Sequence, residues 1–256
     1  MSSVLQFAAS RYILGKQMNI FIAAHPGLGD HTLCNGIYRK IAEMYEKVWI
    51  GVSKSNIKSV KLMLQDLKNV ELITFGPSFI HVTAQRIFAA KIRENKGIEF
   101  LGLGYYGDNF MKDCRYDESF YRQAGIDFDE RWNNFYFPRS IERQNQVFSE
   151  LVGSENTDYL FVHEDVKRNM YIDRKYFGKN LRIVRPTLDV RKFSIFDYES
   201  VLKQAREIHC IESSFAVLVE SLEISGEKFA HRYARDEAKN DWRLEFSYRS
   251  NWQIFT

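Results

Sequence analysis

An α/β protein of two lobes, each built on a parallel sheet, is the architecture this sequence predicts. Three observations carry that expectation. Short apolar runs bounded by turn-forming or polar residues alternate with stretches of helical period. The alternation lapses into an aromatic, irregular stretch and then resumes, which marks a second unit. The composition supplies the core, since 45% of the 256 residues are hydrophobic and 27% are charged, an ordinary globular balance.

The elements follow in order. Met18-Asn19-Ile20-Phe21-Ile22-Ala23-Ala24, closed by His25-Pro26-Gly27, reads as a strand buried on both faces. From Leu33 the spacing turns helical, with Leu33, Ile37, Ile41 and Met44 on one side and Arg39, Lys40 and Glu43 on the other. Lys47–Val52 is a second buried strand, Ile57, Val60, Met63, Leu64 and Leu67 mark a second amphipathic helix, and Val70–Phe75 is a third strand. Strands and helices alternating at such short intervals predict a parallel sheet with right-handed crossovers. A helix from Ser78 to Arg93 and a strand over Gly97–Leu101 complete the first lobe.

Between Gly104 and Arg139 the chain is rich in rings, among them Tyr105, Tyr106, Phe110, Tyr116, Phe120, Tyr121, Trp132 and Tyr136. Such a stretch, 105–137, either packs a loop-rich region or offers aromatic faces to a sugar. The boundary between lobes is expected at Gly153-Ser154-Glu155-Asn156, giving lobes of 1–153 and 154–256. In the second, Tyr159–Val162 and Leu181–Val184 are strands, and Asp197 is placed to cap a helix carrying Tyr198, Val201, Leu202 and Ala205. Glu207–Ile211 is a strand turning at Glu212-Ser213-Ser214 into a helix, and Lys228–Tyr233 is expected to close the sheet.

Composition also limits function. A formal charge of +3, from 36 basic and 33 acidic residues, is too small for a nucleic-acid partner but suits a phosphate-bearing ligand. With 20 Phe, 14 Tyr and 4 Trp, disorder is excluded as the main state. Cys34, Cys114 and Cys210 form no CxxC pair, which argues against a disulfide framework or structural zinc and for a reducing compartment. The first segment places Arg11 and Lys16 after its apolar residues, unlike a secretory signal, and no later segment approaches the roughly 18 apolar residues of a membrane helix. A cytoplasmic protein without a transmembrane segment is expected.

Two strand-to-helix junctions could carry chemistry, because α/β sheets bind ligands at the carboxyl ends of their strands. The first, His25-Pro26-Gly27-Leu28-Gly29-Asp30-His31, matches neither GxGxxG nor a P-loop. It is a glycine turn presenting a carboxylate and two imidazoles, unless Asp30 is simply the N-cap. The second, Glu212-Ser213-Ser214, offers hydroxyls and backbone N–H groups to a phosphate, or is ordinary capping. His163, Lys167, Arg168 and Arg185 could add positive charge there. Metal ligation fits poorly: His25, His31 and Cys34 lack a standard spacing, and Glu164-Asp165 is only half of a DxD pattern. Cys210, in a strand, reads as core.

These residues together resemble the GT-B glycosyltransferases, most nearly the lipopolysaccharide heptosyltransferase type. There a Gly-x-Gly-Asp turn follows the first strand, as Gly27-Leu28-Gly29-Asp30 does here. Fucosyl- and rhamnosyltransferase-like viral and bacterial enzymes are a second comparison. The chain is short for the class and lacks the Gly that usually precedes the helix of the second motif. The resemblance implies two Rossmann-like lobes with parallel sheets facing across a cleft, residues 1–153 on the acceptor side and 154–256 on the nucleotide-sugar side. It further implies an inverting, metal-independent hexosyl or deoxyhexosyl transfer from a nucleotide-diphosphate sugar to a carbohydrate, with no other cofactor. Asp30 is then the catalytic base. Arg168, Arg185, Glu212, Ser213 and Ser214 bind the donor, and His25, Gly27, Gly29 and His31 form the turn or meet the acceptor. A GT-B-fold sugar-nucleotide epimerase and a non-catalytic carbohydrate-binding protein are the competing readings.

Overall fold

Strand β1 (Asn19–Ala23) is apolar on both faces because both faces are covered. In the computed structural model, which describes residues 19–76, 78–94, 97–153, 158–234 and 241–256, β1 lies inside a four-stranded parallel sheet. Helices α1 (Leu28–Leu33) and α2 (Asn35–Met44) follow it, and the helical period read from Leu33 onward is broken at Cys34, where the chain turns from one to the other. Met44 is 41% exposed, so the apolar stripe of α2 ends before it. Strand β2 (Lys47–Val52), helix α3 (Ile57–Leu64), strand β3 (Val70–Thr74), helix α4 (Ser78–Arg93) and strand β4 (Ile98–Gly102) complete the expected alternation. The order is β3-β2-β1-β4 and every pairing is parallel. At its centre Phe21, fully buried, meets the rings of Phe75, Phe88 and Phe100. Truncating such a core ring to alanine costs about 3–5 kcal/mol.

The aromatic stretch is more regular than the sequence suggests. It holds a 3-10 turn at Gly104–Tyr106, helix α5 (Tyr116–Ala124) and the short helix α6 (Glu130–Asn133). Helix α5 ends on Gly125 at φ +63°, a left-handed cap that suits glycine. Fully buried Arg131 and Asp117 pair beneath it.

The chain forms two compact units that divide after Pro138. The expected boundary lies later, and 154–157 fall outside the described residues. Helix α7 (Ile141–Leu151) therefore belongs to the second unit, where Arg139 and Gln144 bond Glu199 and Arg143 bonds Asp197. Strands β5 (Tyr159–His163) and β6 (Arg182–Val184) follow. Ser194, not Asp197, caps the next segment, a 3-10 turn leading into helix α8 (Glu199–Gln204). Asp197 is its reciprocal partner, accepting the Ser194 backbone N–H in a capping box. Strand β7 (Glu207–Cys210), helix α9 (Ser214–Glu220) and strand β8 (Glu227–His231) come next. Strand β8 does not close the sheet, because β9 (Trp252–Phe255) pairs parallel beyond it, giving the order β6-β5-β7-β8-β9. Leu160, Val162, Ile172 and Ile211 form a buried cluster against this sheet. Among the described residues no helix is long and apolar enough to cross a membrane.

Candidate functional site

Both sheets reverse direction at their first strand. After β1 the chain steps outward to β2 and β3, then returns to place β4 on the other side. After β5 it steps to β6, then returns to β7. Crevices open at the carboxyl ends of strands where the order reverses, and ligands bind there in open α/β sheets. Each of these two positions carries a histidine: His25 two residues beyond β1, and His163 as the last residue of β5.

At the first, the turn is pinned from outside. The Pro26 carbonyl accepts from Asn56 at 2.7 Å and Ser53 at 3.4 Å, and the Ala24 carbonyl accepts from Gln85. Gly27 occupies the N-cap position of α1, so Asp30 is not the cap but sits in the first turn. Its carboxylate folds back over Gly27, so a side chain at 27 would have to displace Oδ2. Gly29 lies in the same first turn of α1. Asp30 Oδ2 is 2.5 Å from His25 Nδ1, and Oδ1 accepts from the Tyr116 hydroxyl at 2.8 Å. His25 and Asp30 side chains are each 15% exposed. Four rings surround His25: Tyr105 at 4.8 Å, Tyr116 at 6.0 Å, Phe120 at 6.2 Å and Phe110 at 6.4 Å between centroids.

His31 does not join this group. It is fully buried on the inner side of α1, bonded to the Tyr38 hydroxyl at 2.9 Å. Burial drives its pKa down to about 3, so it is a neutral core residue and not a presented imidazole. The expectation of two imidazoles at the turn reduces to one.

At the second position His163 Nδ1 is 2.8 Å from Ser213 Oγ. Ser213 is in the N-cap position of α9, yet its side chain makes no capping bond, because it turns to His163 instead. Burial lowers the His163 pKa to about 4 against the opposing pull of Asp165 and Glu164. His163 is therefore neutral and supplies no positive charge, contrary to expectation. Ser214 opens α9, half-buried like Ser213.

Glu212 has a structural role at this junction. It is buried, and its Oε1 accepts from Arg232 at 2.8 Å and the Phe246 backbone N–H at 3.1 Å, tying the segment after β8 to the start of α9. Arg185 is half-exposed and pairs with Glu164 at 3.1 Å. Arg168 is 67% exposed on the 3-10 turn Val166–Arg168, paired with Asp165 at 3.2 Å. Glu164 also accepts the Ile172 backbone N–H, and Asp165 caps the 3-10 turn, so both carboxylates have structural duties. Among the described residues no group of three or more His, Cys, Asp or Glu is arranged to hold a metal ion. All three cysteines are free and buried, and burial pushes the Cys210 thiol up.

Sequence reasoning missed the role of Tyr116. It lies 86 residues from Asp30 in the chain, so only the packing of α5 joins them. It also missed the bond between His163 and Ser213, fifty residues apart.

No family model matches this chain, and no curated protein matches it in sequence. Among solved structures, the glycosyl transferase family 9 protein from Veillonella parvula DSM 2008 superposes with a TM-score of 0.58 at 10% identity, covering 93% of this chain and 86% of that one. The ADP-heptose LPS heptosyltransferase II of E. coli superposes with a TM-score of 0.47 at 9% identity, covering 84% of each. At such identities the likeness is one of fold. The chain has the two Rossmann-like α/β units, each with a parallel sheet, of a GT-B-like protein.

Proposed function

We propose that this chain is a glycosyltransferase that moves a sugar from a nucleotide-diphosphate donor to a carbohydrate hydroxyl. The observation that carries the reading is Asp30. In a GT-B-like fold it holds a carboxylate at the reversal point of the first sheet, fixed by His25 and Tyr116 on its two oxygens. A sugar hydroxyl is a poor nucleophile, and removing its proton as the new bond forms typically gains about 10²–10⁴-fold in rate. The base function of the transfer depends on this carboxylate.

The donor diphosphate meets the second unit at Ser213 and Ser214, where α9 starts without a side-chain cap. Arg185 and Arg168, on the segments after β6 and β5, supply the positive charge. The growing charge on the leaving diphosphate then falls on hydrogen-bond donors and guanidinium groups. On this reading the transfer is metal-independent, and a single displacement inverts the anomeric centre. The acceptor sugar meets the first unit beside the exposed Tyr105 ring. The sugar transferred is a hexose or deoxyhexose.

A thermal-shift screen against UDP, GDP, ADP and CMP identifies the nucleotide, because a ligand bound only by the folded state raises its stability. Sugar transfer from the matching donors is then assayed with hexose, deoxyhexose and heptose forms. A stabilising nucleotide and a glycosylated acceptor are expected. Donor turnover without an acceptor, yielding an epimer, rejects transfer.

A further inference from the structure

A contact of 2.5 Å between His25 Nδ1 and Asp30 Oδ2 requires a proton between them, since two facing lone pairs repel. With Asp30 ionised that proton resides on Nδ1, and the neutral ring carries its lone pair on Nε2. Nε2 is buried and has no hydrogen-bond partner among the described residues. Native structures pair nearly all buried polar atoms, and one left bare calls for a cause, a catalytic role among them. Both Asp30 oxygens, by contrast, are engaged, one by His25 and one by Tyr116. An imidazole oriented by a carboxylate on one nitrogen and bare on the other is the arrangement of a general base.

The ring is closely enclosed on its Nε2 side. Gly104, at φ +66°, brings backbone against the ring edge next to Nε2, where a Cβ would lie 2.9 Å from Cδ2. Of the rings around His25, Tyr105 is the most exposed, at 60%. The titratable groups facing His25 are Asp30 and His31 from α1, His81 from α4, Tyr105 from the 3-10 turn and Tyr116 from α5. Burial holds His31 and His81 below the ordinary imidazole value and raises Tyr116 well above the ordinary phenol value.

We propose that His25 Nε2 is the general base of the transfer and that Asp30, acting through it, is the positioning residue. The acceptor sugar reaches Nε2 by displacing the Tyr105 ring. Its hydroxyl oxygen bonds to the anomeric carbon while the bond from that carbon to the phosphate oxygen breaks. The electron pair of that bond leaves on the nucleoside diphosphate, and the hydroxyl proton moves to Nε2. The imidazolium so formed keeps its bond to the Asp30 carboxylate and later releases the proton to water. The assignment rests on the glycosyltransfer reading and deepens it.

His25→Asn is the test. Its side-chain amide can occupy the place of Nδ1 and keep the bond to Asp30, but it offers no basic nitrogen. The expected result is a kcat lower by about 10²–10⁴-fold, an unchanged donor Kd, and loss of the acid limb in the pH profile of kcat. Turnover close to the parent's in folded His25→Asn, with Asp30→Asn still impaired, puts the proton on the Asp30 carboxylate itself. That outcome overturns the proposal and leaves the glycosyltransfer reading standing, whereas full turnover in both variants removes that reading too. Side-chain ¹⁵N NMR of the parent at neutral pH reads the tautomer without any turnover. A protonated Nδ1 with a bare Nε2 supports the assignment, and a protonated Nε2 overturns it.

Discussion

The two units end their first strands in the same way and then diverge. Each sets a histidine where strand order reverses, and each bonds that histidine to a side chain at a helix start. The partners are Asp30 in α1, directly after β1, and Ser213 before α9, which follows β7. His25 is bonded to a carboxylate, His163 to a hydroxyl. The difference decides what each ring can do. The Asp30 carboxylate orients His25 through Nδ1. His163 meets a hydroxyl instead, and burial keeps it neutral, its pKa lowered to about 4. On the proposed reading, the first junction moves a proton from the acceptor and the second holds a neutral hydrogen bond beside the diphosphate.

Replacing each histidine's partner with an inert analogue tests whether the two junctions differ in function. Asp30→Asn keeps size but removes the charge facing His25, and turnover should fall by about 10²–10⁴-fold while donor affinity and Tm stay near the parent values. Ser213→Ala removes one neutral hydrogen bond, which is worth about 1 kcal/mol, so it should lower stability slightly and turnover about tenfold at most. Steady-state kinetics on the two folded variants measure the ratio. If Ser213→Ala is as damaging to turnover as Asp30→Asn, the two junctions are not functionally distinct.

Acid titration separates them by another route. His31, His163 and His231 have folded pKa values of about 3, 4 and 3, all lowered chiefly by burial. In the unfolded chain an imidazole titrates at about 6.5. Between those values the unfolded state binds the extra protons, so stability falls as pH drops below about 6.5 and continues falling toward 3–4. Urea midpoints at several pH values should fall progressively through this window. His163→Asn should reduce the slope. A midpoint independent of pH across that window contradicts the neutral assignment of His163.

A smaller effect is expected at the start of α9. Ser214→Leu adds bulk where the diphosphate is placed, and nucleotide affinity should weaken while the fold persists. Calorimetric titration of the folded variant checks it. Unchanged affinity moves the diphosphate away from Ser213 and Ser214.

How much of this was legible in the sequence follows from how local each signal is. Strands β1, β2 and β3 are short apolar runs with clear punctuation, and helix α4 runs over Ser78–Arg93 as its pattern predicts. The parallel pairing followed from alternation alone. Helix α5 was hidden among rings, although Tyr116 and Phe120 are spaced by one turn and Glu118 and Arg122 form an i,i+4 ion pair. Strand β9 was missed because Trp252–Phe255 is short and its place beside β8 is fixed by pairing, not by pattern. Within the site, Gly27 and Asp30 were readable as a tight turn. The fate of His31 and Glu212 was not, because which way a polar side chain turns depends on partners such as Tyr38 and Arg232 supplied from elsewhere. Asp197 shows the same limit at a helix start, since Ser194 took the capping position three residues earlier.

On the proposed reading, the carboxylate-bearing junction of the first unit drives an inverting sugar transfer. The most direct measurement is the anomeric configuration of the product, read by NMR from a reaction run in EDTA with the donor that the nucleotide screen identifies. The expected product is inverted at the anomeric centre, formed at an undiminished rate without divalent metal and nearly absent with Asp30→Asn. A product of retained configuration, or turnover that vanishes in EDTA and returns with Mg²⁺ or Mn²⁺, would contradict that reading.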